Sequence, residues 1–246
     1  MRLRRAIVIT EFMVLMSRRW AYVAVGFTLM FPVLWLALLK VIGNPQFAGY
    51  FIVGTVVNAS FLVPFIGATQ DMAYFKRASS IYSLLFSNGA DDVEIALGYL
   101  LHVTILSAPV VAVLLLASIF IMGMPYSVAE IATATGVALL ISLASAILGY
   151  SLGISIKNYR LSNQLSQIIP WPLLLLAPVY YPASVLPETL RYISMVSPTT
   201  YMALAINGAL NFKLDELAAG LAGISLYSLS SIALAMWAIR RSKTYG

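Results

Sequence analysis

One pattern in the chain has the form of a nucleophile. Gly149-Tyr150-Ser151-Leu152-Gly153 fits GxSxG, and the sequence holds a single histidine, His102, to act as base. A serine hydrolase needs that serine on a sharp strand-to-helix turn, where its hydroxyl stands clear of the backbone. Here the pentapeptide sits inside a continuous apolar run of helical character. Ser145, Gly149 and Gly153 recur every fourth residue, the spacing of a small-residue face for close helix packing. Packing is therefore the favoured reading. A membrane-embedded hydrolase using Ser151 and His102 stands as the alternative.

Other chemistry is narrower still. The sequence has no cysteine, which excludes disulfides, thiolate metal sites and cysteine nucleophiles. Asp91, Asp92 and Glu94 cluster, but they stand where carboxylates favour the start of a helix, and no metal site is expected. Neither a GxxxxGK[ST] loop nor a GxGxxG fingerprint occurs. The chain cannot bind and hydrolyse ATP by those routes.

The elements that must position these residues belong in a membrane. The chain is 61% hydrophobic and 10% charged, against roughly 25% charged in a soluble domain. Its apolar runs are continuous and about twenty residues long, which suits spanning helices and not the alternating segments of a barrel. The net charge of +6 is read as basic loops facing anionic lipid rather than as a nucleic-acid surface. We expect an all-α membrane protein with one transmembrane domain over 1–246 and six transmembrane helices, at 21–39, 47–68, 95–122, 128–156, 162–179 and 217–239.

Residues 1–20 are expected to form an interfacial helix and an uncleaved start. Arg4, Glu11 and Arg18 share one face, with Ile9, Met13, Met16 and Trp20 opposite, as in helices that lie at a membrane surface. With this end in the cytoplasm, that side holds Arg2, Arg4, Arg5, Arg18, Arg19, Lys76, Arg77, Lys157, Arg160, Arg240, Arg241 and Lys243. The outer side holds only Lys40, Arg191 and Lys213. The bias obeys the positive-inside rule and requires an even number of spans. The expected location is the plasma or inner membrane with both termini cytoplasmic.

Two segments depart from plain spans. In 74–98, Ile81, Leu84, Leu85 and Phe86 follow helical spacing and Asn88-Gly89 is a stop signal. This gives a short cytoplasmic helix between spans two and three. Further on, Pro170, Pro172 and Pro178 interrupt an apolar run. Each removes a helix donor, a break tolerated in a membrane where protein or a cavity satisfies the freed backbone. The segment 180–213 is then expected to dip back as a broken external re-entrant hairpin between spans five and six. Trp171, Tyr180, Tyr181, Tyr192 and Tyr201 cluster there, either as an interfacial belt or as the exit of a pathway. Ionisable residues are absent from the expected span centres, which speaks against an ion-driven carrier. Asn58, midway along span two, either bonds to another helix or faces a cavity.

This layout resembles the permease subunits of ABC-2 type ATP-binding-cassette transporters. The likeness runs over nearly the whole chain. It is carried by Tyr180-Tyr181-Pro182, Leu186-Pro187 and Ser197-Pro198-Thr199-Thr200-Tyr201, and by Lys76-Arg77 ahead of Ser79-Ser80-Ile81 and Leu84-Leu85-Phe86-Ser87. Tyr82 and Asn88 stand where members often carry Glu and Pro. The resemblance implies a subunit that pairs with an identical or paralogous copy and with two separate ABC ATPase subunits. Those subunits would hold the ATP and Mg, and this chain would bind no cofactor. It further implies that Lys76, Arg77, Ser79, Ile81, Tyr82, Leu84, Leu85 and Ser87 couple to the ATPase. Spans one, two and five would line the path, with Asn58, Trp171 and Tyr181 as candidates. The cargo would be a hydrophobic or amphipathic drug, lipid or lipid-linked glycan, moved outward. A channel or carrier independent of any ATPase is the further alternative.

Overall fold

The computed structural model describes residues 2–243, without side chains for 19–24, 27, 238 and 240–243. The expected roles of Arg19, Trp20, Arg240, Arg241 and Lys243 therefore lie outside the described residues. All described secondary structure is helical. Among the described residues, four helices are long and apolar enough to cross a membrane, spanning Pro45–Arg77, Asp92–Met122, Val128–Ser155 and Leu214–Trp237, and Thr28–Ile42 is a shorter apolar stretch.

The first helix, α1, runs unbroken over Arg2–Ile42. The expected interfacial helix at 1–20 and the expected first span are thus one helix without a break. No glycine or proline separates residues 17 to 25, so nothing in the sequence stops the helix there. At 1.5 Å per residue it is about 60 Å long, twice the roughly 30 Å hydrocarbon core. About half of its length therefore exceeds that core. Of the face expected to meet lipid, Ile9 and Met13 are buried within the protein and Met16 is exposed, and Leu3, Ile7, Val8, Phe12 and Leu15 are exposed elsewhere on the helix.

The second helix, α2 (Ala48–Arg77), continues past the expected end of span two and takes in residues 74–77. A turn leads to α3 (Ile81–Ser87), which Gly89 closes at φ +81°, a conformation glycine adopts without strain. Asp91 then opens α4 (Asp92–Met122) with a reciprocal capping box to Glu94. Of the segment 74–98, only residues 78–91 thus lie between the long helices. α5 covers Val128–Ser155 and starts from a second capping box, Ser127 with Glu130.

The expected fifth span is two short helices, α6 (Tyr159–Ile168) and α7 (Pro170–Leu176), hinged at Ile169. α8 (Glu188–Ser194), α9 (Pro198–Leu210) and α10 (Leu214–Lys243) complete the chain. Alternation of the long helices gathers the turns at two ends. One end holds residues 78–91 and 156–158 together with the start of α1. The other holds 43–47, 123–127 and the stretch from 177 to 213. Lys40 confirms the second grouping, since its Nζ donates to the Ile121 carbonyl near the end of α4.

Candidate functional site

The end that carries α3 is built as one block. Ile81, Tyr82 and Leu85 turn inward against a core of Ile9, Met13, Met72, Phe75, Ile95, Tyr99, Tyr150 and Ile154, drawn from α1, α2, α4 and α5. Tyr82 donates its hydroxyl to Asp92. Burial, then Tyr150 and the Asp92 carboxylate, push that hydroxyl far above the usual tyrosine range, so Tyr82 remains a neutral donor. Lys76 places its ammonium 5.6 Å from the centre of the Tyr82 ring, within cation–π range. Ser79 bridges the turn, accepting from the Ile81 N–H at 3.4 Å.

Basic side chains tie this block together. Arg77 donates to the carbonyls of Gly153 (3.1 Å) and Ile154 (3.2 Å) at the end of α5, where cations are favoured by the helix dipole. Arg5 donates to the Gly89 carbonyl and stands 3.7 Å from Glu94, and Arg2 stands 3.5 Å from Asp91. Arg77 is thus a brace inside the chain. Two side chains of α3 face outward instead: Leu84 is 52% and Phe86 51% exposed. Ser87 is exposed beside them. Phe86 was not among the expected contact residues. Its signal was present in the spacing of 83, 84, 86 and 87 around one side of a two-turn helix.

At the opposite end the three prolines act differently: Pro170 opens α7, Pro172 lies inside it, and Pro178 follows its end. Ala177, held extended before Pro178, ends α7. Helix ends leave carbonyls without intrahelical partners. The Leu173 carbonyl accepts instead from the hydroxyls of Ser197 (2.7 Å) and Thr199 (2.5 Å). The Ser-Pro-Thr-Thr motif therefore repairs the break and fixes the start of α9 against α7. Tyr180 lies on Gly54 of α2, where an added Cβ would come within 2.3 Å of its ring. Its hydroxyl lies near Asn58, Thr55 and Trp35. Asn58 thus faces another segment of the chain, and the tyrosine beside it is Tyr180. Trp171 is 42% exposed on α7 and Tyr181 is half-buried in the following turn.

The GxSxG pentapeptide lies within the regular helix α5. Ser151 donates to Leu148 O of its own helix at 2.8 Å, and His102 lies 3.2 Å from Ser17 of α1. The structure pairs His102 with Ser17 and gives Ser151 no elbow, so the hydrolase alternative lacks its geometry. An added Cβ at Gly149 or Gly153 would stand 2.3 Å from Phe65 O or 2.5 Å from Thr69 O of α2. These glycines let α2 and α5 approach closely.

The long apolar helices, with an ordered short helix at one end, are those of a membrane-embedded protein. Residues 3–210 match the family model of the ABC-2 type transporter, and the chain belongs to that family. Comparison with curated proteins gives no match. An ABC-2 membrane domain points to the permease of an ABC transporter.

Proposed function

We propose that this chain is the membrane permease of an ATP-driven exporter, worked by a separate ABC ATPase that docks on α3. The observation that carries the proposal is the outward pair Leu84 and Phe86 on a helix otherwise anchored into four others. A short helix so anchored moves as part of the block. Force applied at its exposed side would therefore reach α1, α2, α4 and α5 together. Six spans follow if α1 and the α6–α7 pair join the four long helices, with α8 and α9 as the re-entrant hairpin. The end bearing α3 would face the cytoplasm, as the excess of Lys and Arg there requires. The exposed side of the first half of α1 would then rest in the cytoplasmic headgroup region.

Two such chains, identical or paralogous, would pair in the plasma or inner membrane, with ATP and Mg on the partner ATPases. The Tyr180–Asn58 contact, with Trp171 and Tyr181 nearby in sequence, would border the path for a hydrophobic or amphipathic cargo. The test is reconstitution with a candidate ABC ATPase. Leu84→Asp with Phe86→Asp should abolish ATP-dependent transport while leaving the permease folded. Transport that persists in the double variant, or that the permease performs without any ATPase, would overturn the proposal.

A further inference from the structure

A cavity of about 550 Å³ lies between α1, α2 and α4, within the size range of small-molecule sites. Ser17, Asp71, Tyr99 and His102 contribute polar groups to its wall, and Val63 and Val110 are among its apolar ones. Met16 and Val63 are exposed as well as lining it, so it opens on the side of the bundle. α4 forms a large part of the wall. The site is therefore distinct from the Tyr180–Asn58 contact.

Two polar groups of the wall stand out. Ser17 lies within hydrogen-bond distance of both Met13 O (2.8 Å) and His102 Nε2 (3.2 Å). His102 is 6% exposed, and its Nδ1 is buried with no hydrogen-bond partner among the described residues. Tyr99 donates to Asp71 Oδ2 at 2.7 Å, and a carboxyl group retains acceptor capacity beyond one such bond. Among the described residues that line the cavity none is cationic. The wall thus presents a carboxylate beside an apolar surface.

We propose that this cavity binds an amphipathic primary amine, with its ammonium group donating to Asp71 and its hydrocarbon part along Val63 and Val110. An ammonium supplies three donors and the matching charge, whereas a carboxylate would be repelled. This site does not depend on the ATPase reading, and its test uses the purified full-length chain alone. The probes are a dodecylamine, a dodecanol and a dodecanoate, each carrying a photoreactive diazirine on the tail. The amine should label residues of α1, α2 and α4 at about tenfold lower concentration than the other two, as expected for hydrogen bonds to charged groups.

Asp71→Asn should weaken amine labelling about tenfold and leave the alcohol unchanged. Gly67 also lines the cavity, and an added Cβ there meets nothing within 4 Å. Gly67→Leu should therefore block labelling by filling the space without unfolding the chain. Equal labelling by all three probes would overturn the proposal. So would amine labelling confined to Trp171 and Tyr181, or labelling that survives Gly67→Leu. Loss of ATPase coupling in the reconstitution above would leave these results untouched.

Discussion

Arg77 provides a sharp test of the anchored block. The guanidinium joins the end of α2 to two carbonyls at the end of α5, at 3.1 and 3.2 Å. Arg77→Met keeps most of the apolar stem and removes both bonds. Hydrogen bonds to a charged group contribute about 1.5–3 kcal/mol each. The end of a helix adds about 0.3–1 kcal/mol for a nearby cation. Arg77 is half-buried, and water can replace part of what is lost. A total of about 2–4 kcal/mol follows. For a chain of this size each kcal/mol moves the melting temperature by roughly 2–4 °C, so the variant should melt about 5–15 °C lower. Arg77→Lys keeps the charge without the fork and should lose about half as much. The assay is thermal unfolding of the detergent-solubilised chain followed by tryptophan fluorescence, with no ATPase present. A melting temperature for Arg77→Met within about 1 °C of the parent, well below the smallest shift expected, would refute the brace.

Other expectations follow from single contacts. Ser197→Ala with Thr199→Val leaves the Leu173 carbonyl without both hydroxyl donors and should cost about 1–3 kcal/mol, read as a lower melting temperature. Gly149→Leu forces a side chain into the α2 backbone and should sharply reduce the yield of folded protein, measured by size-exclusion chromatography. Ser151→Ala removes only a bond within its own helix and should change neither stability, beyond about 0.5 kcal/mol, nor transport. Tyr180→Phe removes the hydroxyl that lies near Asn58 and should alter transport more than Tyr181→Phe does, measured as flux in the reconstituted complex.

Local signals in the sequence translated directly into structure. The Asn88-Gly89 stop, the Asp91 start and the break before Pro178 act on the chain's own backbone within a few residues, and each appears where those residues stand, whereas Pro172 is accommodated inside α7. Distant pairings were not legible. Arg77 looked like one more cytoplasmic cation, because its partners lie on α5 some 76 residues away. The join of α1 across residues 20 and 21 was hidden by a change from basic to apolar composition, which affects where a helix sits but not whether it continues. Tyr180 and Tyr181 are adjacent and identical in type. Only the course of the backbone after Ala177 decides which ring lands on Gly54. Asp71 fell just beyond the expected span two, and its bond to Tyr99 required knowledge of how α2 meets α4.

Because the chain lacks cysteine, a single introduced thiol can be cross-linked without background. Leu84→Cys and Phe86→Cys place it on the outer side of α3, whereas Ile81→Cys and Leu85→Cys place it on the side packed against the core. Each variant is co-expressed with the ABC ATPase that supports transport in the reconstitution and treated with a thiol-anchored photo-cross-linker. The account predicts strong cross-links to the ATPase from positions 84 and 86 and weak ones from 81 and 85. Cross-linking that is equal at all four positions, or absent at 84 and 86, would contradict it.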